Sequence, residues 1–280
     1  MPRIRGAFSI LGAMQFQSLN GQLIPHNQPA LTISNRSFKF GDGVFETMKV
    51  ETGSIHLASY HFDRLFTSLE LLQIPTSFSA SSLSQSILDL SSANGLIERA
   101  RVRLAVYRKD DGEGAFTIEA MELPEEKVLW NERGWSIDIY PYARKGVDAF
   151  SNLKSANYLP YVMADRFAQE KGLDEAIVLN CHNHLCDASK ANIFLIRETD
   201  ILTPALHQGC VNGVMRRYVI EEAKKKGYVV KQSEVTLQDL EEAREVFLTN
   251  ALQGIKWVQR FRDKEYDCEQ TKRLHDVLFQ

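Results

Sequence analysis

Long apolar runs are missing from this 280-residue chain. None approaches the roughly 20 residues that a membrane-crossing helix needs, so no spanning segment is expected. A basic block is missing too. The chain carries 33 Lys and Arg against 36 Asp and Glu, for a net charge of −3, and neither nucleic acid nor an anionic membrane is suggested as a partner. Its four cysteines, Cys181, Cys186, Cys210 and Cys268, form no CxxC pair and lack the spacing of a zinc knuckle. They read as reduced thiols, which places the chain in the cytoplasm. His182 and His184 lie in a run, Asn180 to His184, that a polar turn explains, so no metal is expected. Met1-Pro2-Arg3-Ile4-Arg5-Gly6 leads into a segment interrupted by glutamines and does not read as a signal peptide. No internal repeat is present. The one biased stretch, serine-rich from Ser77 to Ser92, reads as a loop followed by a capped helix.

What is present is ordinary for a soluble globular protein, with 44% hydrophobic and 25% charged residues. The length suits two domains. Asn20-Gly21 signals a hairpin within a first forty residues of short strands and turns. Gly41-Asp42-Gly43 marks a turn, and alternation from Val44 marks a strand that turns back at Glu51-Thr52-Gly53. Phe62, Leu65, Phe66, Leu69 and Leu72 recur at helical spacing, and Pro75 stops that helix. Arg101 to Tyr107 alternates Val102, Leu104 and Val106 against Arg101, Arg103 and Ala105, a strand with a cationic side, and Ala115 to Met121 is another strand. A linker is expected at Pro124 to Lys127, dividing residues 1–125 from 126–280.

The second half reads as strand (Trp135 to Tyr140), loop with Lys154, helix (Tyr161 to Lys171) and strand (Glu175 to Leu179). After a turn come a strand (Asn192 to Ile196), a turn at Thr203-Pro204, and the Gly209 to Gly213 turn. That turn feeds a helix, Val214 to Lys226, closed by Gly227. Tyr228 to Lys231 and Val246 to Thr249 complete the strands. The fold class is therefore α/β plus α+β, with the site in the cleft between two domains.

Three features converge on one cofactor, pyridoxal phosphate, which needs a lysine for its aldehyde, an anion beside its pyridine nitrogen and a cradle for its phosphate. Lys154 supplies the first and Asp187, ahead of Asn192-Ile193-Phe194, the second. Gly209 to Met215, a glycine-containing turn entering a helix, supplies the third, with Arg64 as a permanent forked cation. Each residue alone also has an ordinary reading: a surface lysine, a turn or cap aspartate, a simple turn, an exposed helix arginine.

Five motifs stand in order: Gly41-Asp42-Gly43-Val44-Phe45-Glu46-Thr47, His61-x-x-Arg64-Leu65, Lys154-x-x-Asn157-Tyr158-Leu159, Ala191-Asn192-Ile193-Phe194 and Thr203-Pro204. In that order and spacing the chain resembles the class IV, fold type IV pyridoxal-phosphate enzymes. These comprise branched-chain and D-amino-acid aminotransferases and aminodeoxychorismate lyases. The resemblance implies a homodimer with a small N-terminal α/β sandwich, a larger C-terminal pseudo-barrel and the cofactor between them.

Residue by residue, it implies that Lys154 binds the aldehyde and shuttles a proton, with Thr47 able to hand the proton on. Arg64 and the backbone of Val214 and Met215 would hold the phosphate, with Asn192, Asn250 and Ala251 also at cofactor positions. Asp187 falls where the family usually has a glutamate. Met215 and Ala251 stand where the aminotransferases usually carry hydroxyl side chains. The strings Val211-Asn212-Gly213-Val214-Met215-Arg216 and Asn250-Ala251-Leu252 are instead similar to those of aminodeoxychorismate lyases. The implied reaction cleaves 4-amino-4-deoxychorismate to p-aminobenzoate and pyruvate, towards folate. An aminotransferase of branched-chain or D-amino acids is the alternative, and a non-catalytic binding protein a third. Lys49, Arg103 and Arg108 are the candidates for binding substrate carboxylates. Glu113 stands near a position where the family often has arginine, and would repel a carboxylate there.

Overall fold

In the computed structural model, which describes residues 14–279, alternating strands build a first sheet. The reading of Met1 to Gly6 lies outside the described residues. Strands β1 (Phe16–Leu19) and β2 (Gln22–Pro25) form the hairpin expected at Asn20-Gly21. Both turn residues take positive φ, 51° and 84°, as a primed two-residue turn requires. Helix α1 (Arg36–Phe40) stands where the sequence suggests only strands and turns. It begins where the Asn35 side chain accepts from Phe38 N–H and stops at Gly41.

Then follow β3 (Gly43–Glu51), β4 (Ser54–Ile55), α2 (Ala58–Leu71), α3 (Ala80–Ala93), β5 (Arg99–Arg108) and β6 (Gly114–Glu122). The serine-rich stretch is a capped helix: Ser79 accepts from Ser82 N–H, and Ser82 reciprocates towards Ser79 N–H. The antiparallel order is β2-β1-β6-β5-β3-β4. One face buries Val44, Met48, Val102, Leu104 and Ile118 against Phe62 and Leu65 of α2 and Leu83 and Ile87 of α3. Strict alternation then turns Phe45, Thr47, Arg101 and Arg103 to the other face.

A single 3-10 turn, Glu125–Lys127, leads to the second sheet. Its elements are β7 (Trp135–Ile139), α4 (Leu159–Lys171), β8 (Glu175–Leu179), β9 (Leu185–Ala188), β10 (Asn192–Arg197), β11 (Asp200–Pro204), α5 (Val214–Lys225), β12 (Val230–Ser233), α6 (Leu237–Glu242), β13 (Glu245–Asn250), β14 (Gly254–Phe261), β15 (Lys264–Glu265) and α7 (Glu269–Phe279). The order is β12-β11-β10-β13-β14-β7-β8-β9, with β15 on β14. Pairs β11–β12, β14–β7 and β7–β8 are parallel. The Ala188 N–H donates to the Ala191 carbonyl, so the end strand β9 runs straight into the interior strand β10 and the sheet curls into a half-barrel. No helix among the described residues is long and apolar enough to cross a membrane.

Two expectations are corrected here. Thr203-Pro204 is no turn but the end of β11, where Thr203 pairs with Gln232 and its hydroxyl donates to the Ile193 carbonyl. Residues after Thr249 do not merely trail the last strand. They form β14, which sits between β13 and β7, and α7, whose first turn is capped by the buried Glu245 carboxylate through the Gln270 and Thr271 N–H groups.

Candidate active site

Lys154 lies in the loop between β7 and α4, and two backbone bonds hang that loop on the first sheet. Phe45 N–H donates to the Lys154 carbonyl, and Ala156 N–H to the Gly43 carbonyl, each at 2.9 Å. The amine rests 4.6 Å from the centre of the Phe45 ring and 5.3 Å from that of Tyr158. It has no hydrogen-bond partner or ion pair among the described residues. Burial, then the charges of Arg64 and Arg103, push it from an ordinary 10.5 down to about 7, against the pull of Glu46 and Asp187.

Arg64 sits on α2, which packs on the core face of β3, where Glu46 also points. Its guanidinium donates to both Glu46 oxygens, at 2.7 and 2.5 Å, and to the Asn212 carbonyl at 3.0 Å. His61 Nδ1 lies 2.6 Å from the same carboxylate. Burial alone would raise the Glu46 carboxyl, but Arg64 and His61 outweigh it and hold the group at about 2. Arg64 is thus clamped from the side away from the cavity, with donors left over.

Asn212 introduces the start of α5. Gly213 is the N-cap, with no side-chain cap on the first turn, so the open N–H groups and the helix dipole favour an anion there. Only glycine fits: a Cβ would fall 1.8 Å from Asn192 Oδ1. Nearby, the Thr249 hydroxyl is buried without a partner among the described residues.

Asp187 is buried on β9. One oxygen accepts from Asn192 Nδ2 at 2.8 Å. The other accepts from Tyr161 O–H at 2.6 Å, Val211 N–H at 3.1 Å and Lys145 Nζ at 3.2 Å. Such a donor set satisfies a buried carboxylate.

Lys154, Arg64, Asp187, Thr249 and the start of α5 open on one cavity of about 740 Å3, between the two sheets. It brings together Thr47, Arg64, Arg103, Lys154, Asp187, Asn192, Val214, Met215, Asn250 and Ala251. The Asn250 side chain itself is spent in its turn, accepting from the Leu252 and Gln253 N–H groups. The structure does not bring Lys49 and Arg108 to this cavity. The Lys49 amine is taken by Glu51 at 2.9 Å, and Arg108 is tied to Asp42 and to the Leu72 and Gln73 carbonyls. Glu113 belongs to the β5–β6 hairpin tip, where its N–H is held by Asp111, and does not line the cavity either.

Sequence reasoning missed several residues. Glu46 was hidden because it breaks the apolar face of β3, an outlier that itself signals a buried partner. Tyr158, Tyr161 and Lys145 come from a loop and a helix face with no periodic signal, Thr249 from a strand read only as core. Arg101 was visible as part of the cationic side of β5. Glu175, also in the cavity wall, is pushed up to about 7 by burial while Ser189 O–H and Lys190 N–H donate to it.

The Amino-transferase class IV model matches residues 43–261. The chain belongs to the class IV aminotransferase family. It is 30% identical over 239 residues to the aminodeoxychorismate lyase of Vibrio harveyi, covering 81% of this chain and 86% of that protein. It is equally 30% identical over 244 residues to the D-alanine aminotransferase of Listeria innocua, covering 83% and 82%. In structure it is similar to a T.th. branched-chain amino acid aminotransferase solved with pyridoxamine 5'-phosphate, with a TM-score of 0.84 at 22% identity over 95% of this chain and 93% of that one. Class IV and the fold type IV architecture implied by the five motifs are thereby established.

Proposed function

We propose that the cavity holds pyridoxal 5'-phosphate and that the protein is a 4-amino-4-deoxychorismate lyase. The observation that carries the cofactor reading is Lys154, whose unpartnered amine enters the same cavity as Asp187, the Thr249 hydroxyl and the start of α5. The residues fit the group. The orphaned hydroxyl, the glycine cradle and the spare Arg64 donors match a phosphate, and the buried Asp187 carboxylate matches the ring nitrogen. When bound, pyridoxal phosphate supplies an electron sink for the substrate carbon next to the amine.

The rest is work for this chain's own side chains. Lys154 would hold the cofactor's aldehyde until the substrate amine displaces it, and its freed amine, lowered to about 7, could then take a proton from the substrate and return it. Thr47, on β3 in the same wall, can pass that proton on. Arg103 binds a substrate carboxylate, and Tyr158 and Phe45 hold the amine of Lys154 in place. The choice of lyase rests on Met215 and Ala251, which bring no hydroxyls to the phosphate, and on the likeness to the Vibrio harveyi enzyme.

The test is release of p-aminobenzoate and pyruvate from enzymatically generated aminodeoxychorismate, with Lys154→Ala as the blank. Equimolar release by the native protein alone supports the lyase. The equal likeness to a D-alanine aminotransferase favours a second reading, a branched-chain or D-amino-acid aminotransferase. A yellow protein that releases neither product, yet loses its colour with an amino donor alone, would replace the lyase by that reading.

The same reading makes the protein a cytoplasmic homodimer of the folate pathway, with its domains meeting near residue 125. Four free cysteines suit a reducing compartment. For the dimer, Phe38, Phe40 and Leu159 are 78%, 63% and 69% exposed, and Gly41 packs against Asn157 beside them. An apolar patch of this kind is one that a second copy would cover.

A further inference from the structure

The second half of the cavity wall is lined by β5, and its cations are unequally matched. Arg99, Arg101 and Arg103 share one face of that strand. Arg99 has ion pairs to Glu51 at 3.5 Å and Glu125 at 3.7 Å. Arg103 has no ion pair or hydrogen bond among the described residues; its guanidinium lies over the Phe45 ring, 3.8 Å from the centre. Burial lowers its pKa against the pull of Glu119, which stands opposite it on β6 without forming an ion pair. Arg101 touches only the Met121 sulfur, at 3.5 Å. The Lys49 amine opposite Arg101 is already neutralised by Glu51, so it neither repels nor replaces an anion there. Arg101 and Arg103 both line the cavity, two residues apart, hence about 7 Å along the strand.

Neither guanidinium has an ion pair among the described residues, Glu119 reaching Arg103 only as its neighbour on β6, so both forks are free to take a ligand's anions. We infer that Arg101 is a specificity-determining residue. It receives a second carboxylate of the substrate, on the side of the Arg103 carboxylate that is further along β5 from Lys154. The substrate class is then a dicarboxylate bearing an amine, and amino acids with apolar side chains leave Arg101 empty. This rests on the proposed cofactor cavity but not on whether the reaction is a cleavage or an amino transfer. The planar forks suit bidentate carboxylate binding, and the Phe45 ring keeps the Arg103 fork from swinging out to solvent.

The experiment titrates the cofactor-loaded protein with glutarate and with butyrate, followed by calorimetry and by the visible absorbance of the bound cofactor. Glutarate is expected to bind at least tenfold more tightly than butyrate. Arg101→Met should abolish that preference while leaving butyrate binding within about twofold. Arg101→Lys, which keeps the charge but loses the fork, should retain part of it. Equal affinity for the two probes in the native protein, or an undiminished glutarate preference in either variant, overturns the inference. Failure of the lyase reading shows separately, as absence of pyruvate from a protein that still prefers glutarate.

Discussion

The Lys154 amine and the Arg103 guanidinium rest on one and the same ring, that of Phe45, at 4.6 and 3.8 Å from its centre. Phe45 in turn holds the Lys154 carbonyl through its own N–H. One residue of the first sheet therefore fixes the lysine at both ends and sets a permanent positive charge beside it. That charge, with burial and Arg64, keeps the amine near neutrality.

Loading should follow the titration of that amine. Below about pH 7 Lys154 is protonated and cannot attack an aldehyde; above it the free base dominates. Cofactor-free protein mixed with pyridoxal phosphate should thus gain visible absorbance at a rate that rises through about pH 7 and levels off. A rate still climbing steeply towards pH 10 would mean an ordinary lysine. Lys154→Ala should gain no such absorbance. Burial that disfavours the lysine's charge costs stability as pH falls below the ordinary 10.5, and the cost is complete below about 7, so the cofactor-free variant should melt no lower than the native protein at pH 6.

Glu46→Gln should cost about 3 kcal/mol, because Arg64 would keep a buried charge without its counter-ion. Urea unfolding at pH 7 would measure it, and phosphate or cofactor affinity should fall with it as Arg64 loses its clamp. The native contribution has a defined pH window. Glu46 is depressed to about 2 in the fold, so its stabilisation is present above the unfolded value near 4.5 and is lost as pH falls from there through about 2. The variant's stability should change less across that window. Parallel curves would remove the argument.

Thr249→Val replaces a buried hydroxyl that has no partner by a methyl of the same shape. Without cofactor the variant should be more stable by about 1 kcal/mol, since an unsatisfied buried group is removed. With cofactor it should bind roughly tenfold more weakly if the hydroxyl donates to the phosphate. Unchanged affinity would take Thr249 out of the phosphate site.

Gly213→Ala places a methyl where Asn192 Oδ1 already stands. Asn192 must then move, and with it the bonds to Asp187 and the Val211 carbonyl. Equilibrium dialysis should show at least tenfold weaker cofactor binding. Near-native binding would show that the turn can shift without Asn192.

Local rules made much of the fold legible. Alternation placed Val44 to Val50 and Val102 to Val106 on one face, helical spacing found α2 to within two residues, and serines announced the cap of α3. The elements that escaped depend on distant partners. β9 is only Leu-Cys-Asp-Ala, poor in strand formers, and its acid is tolerated because Asn192, Tyr161 and Lys145 arrive from elsewhere. α7 begins where Glu245, 25 residues earlier, reaches its N–H groups. β14 carries Lys256, buried in the fold, and the exposed Gln259 and Arg260, which together mask its apolar residues. In the site, residues with a chemical identity of their own, Lys154, Arg64 and Asp187, could be picked out. The residues that aim them, Glu46, Phe45, Tyr161 and Lys145, gain meaning only from contact. Lys49 and Arg108 show the converse: a cation on a bordering strand binds nothing in a cavity when an acid or a carbonyl has already claimed it.

The Arg64 bond to the Asn212 carbonyl also bears on how the chain assembles. Arg64 and Glu46 leave the ribosome long before residue 212, so the first sheet must close around an ion pair whose third contact does not yet exist. Until the second sheet arrives, that guanidinium faces water through an open seam. A chain truncated before Asn212 should therefore form its first sheet with a soft, exchange-prone edge at α2, one that hardens only when the rest of the protein docks.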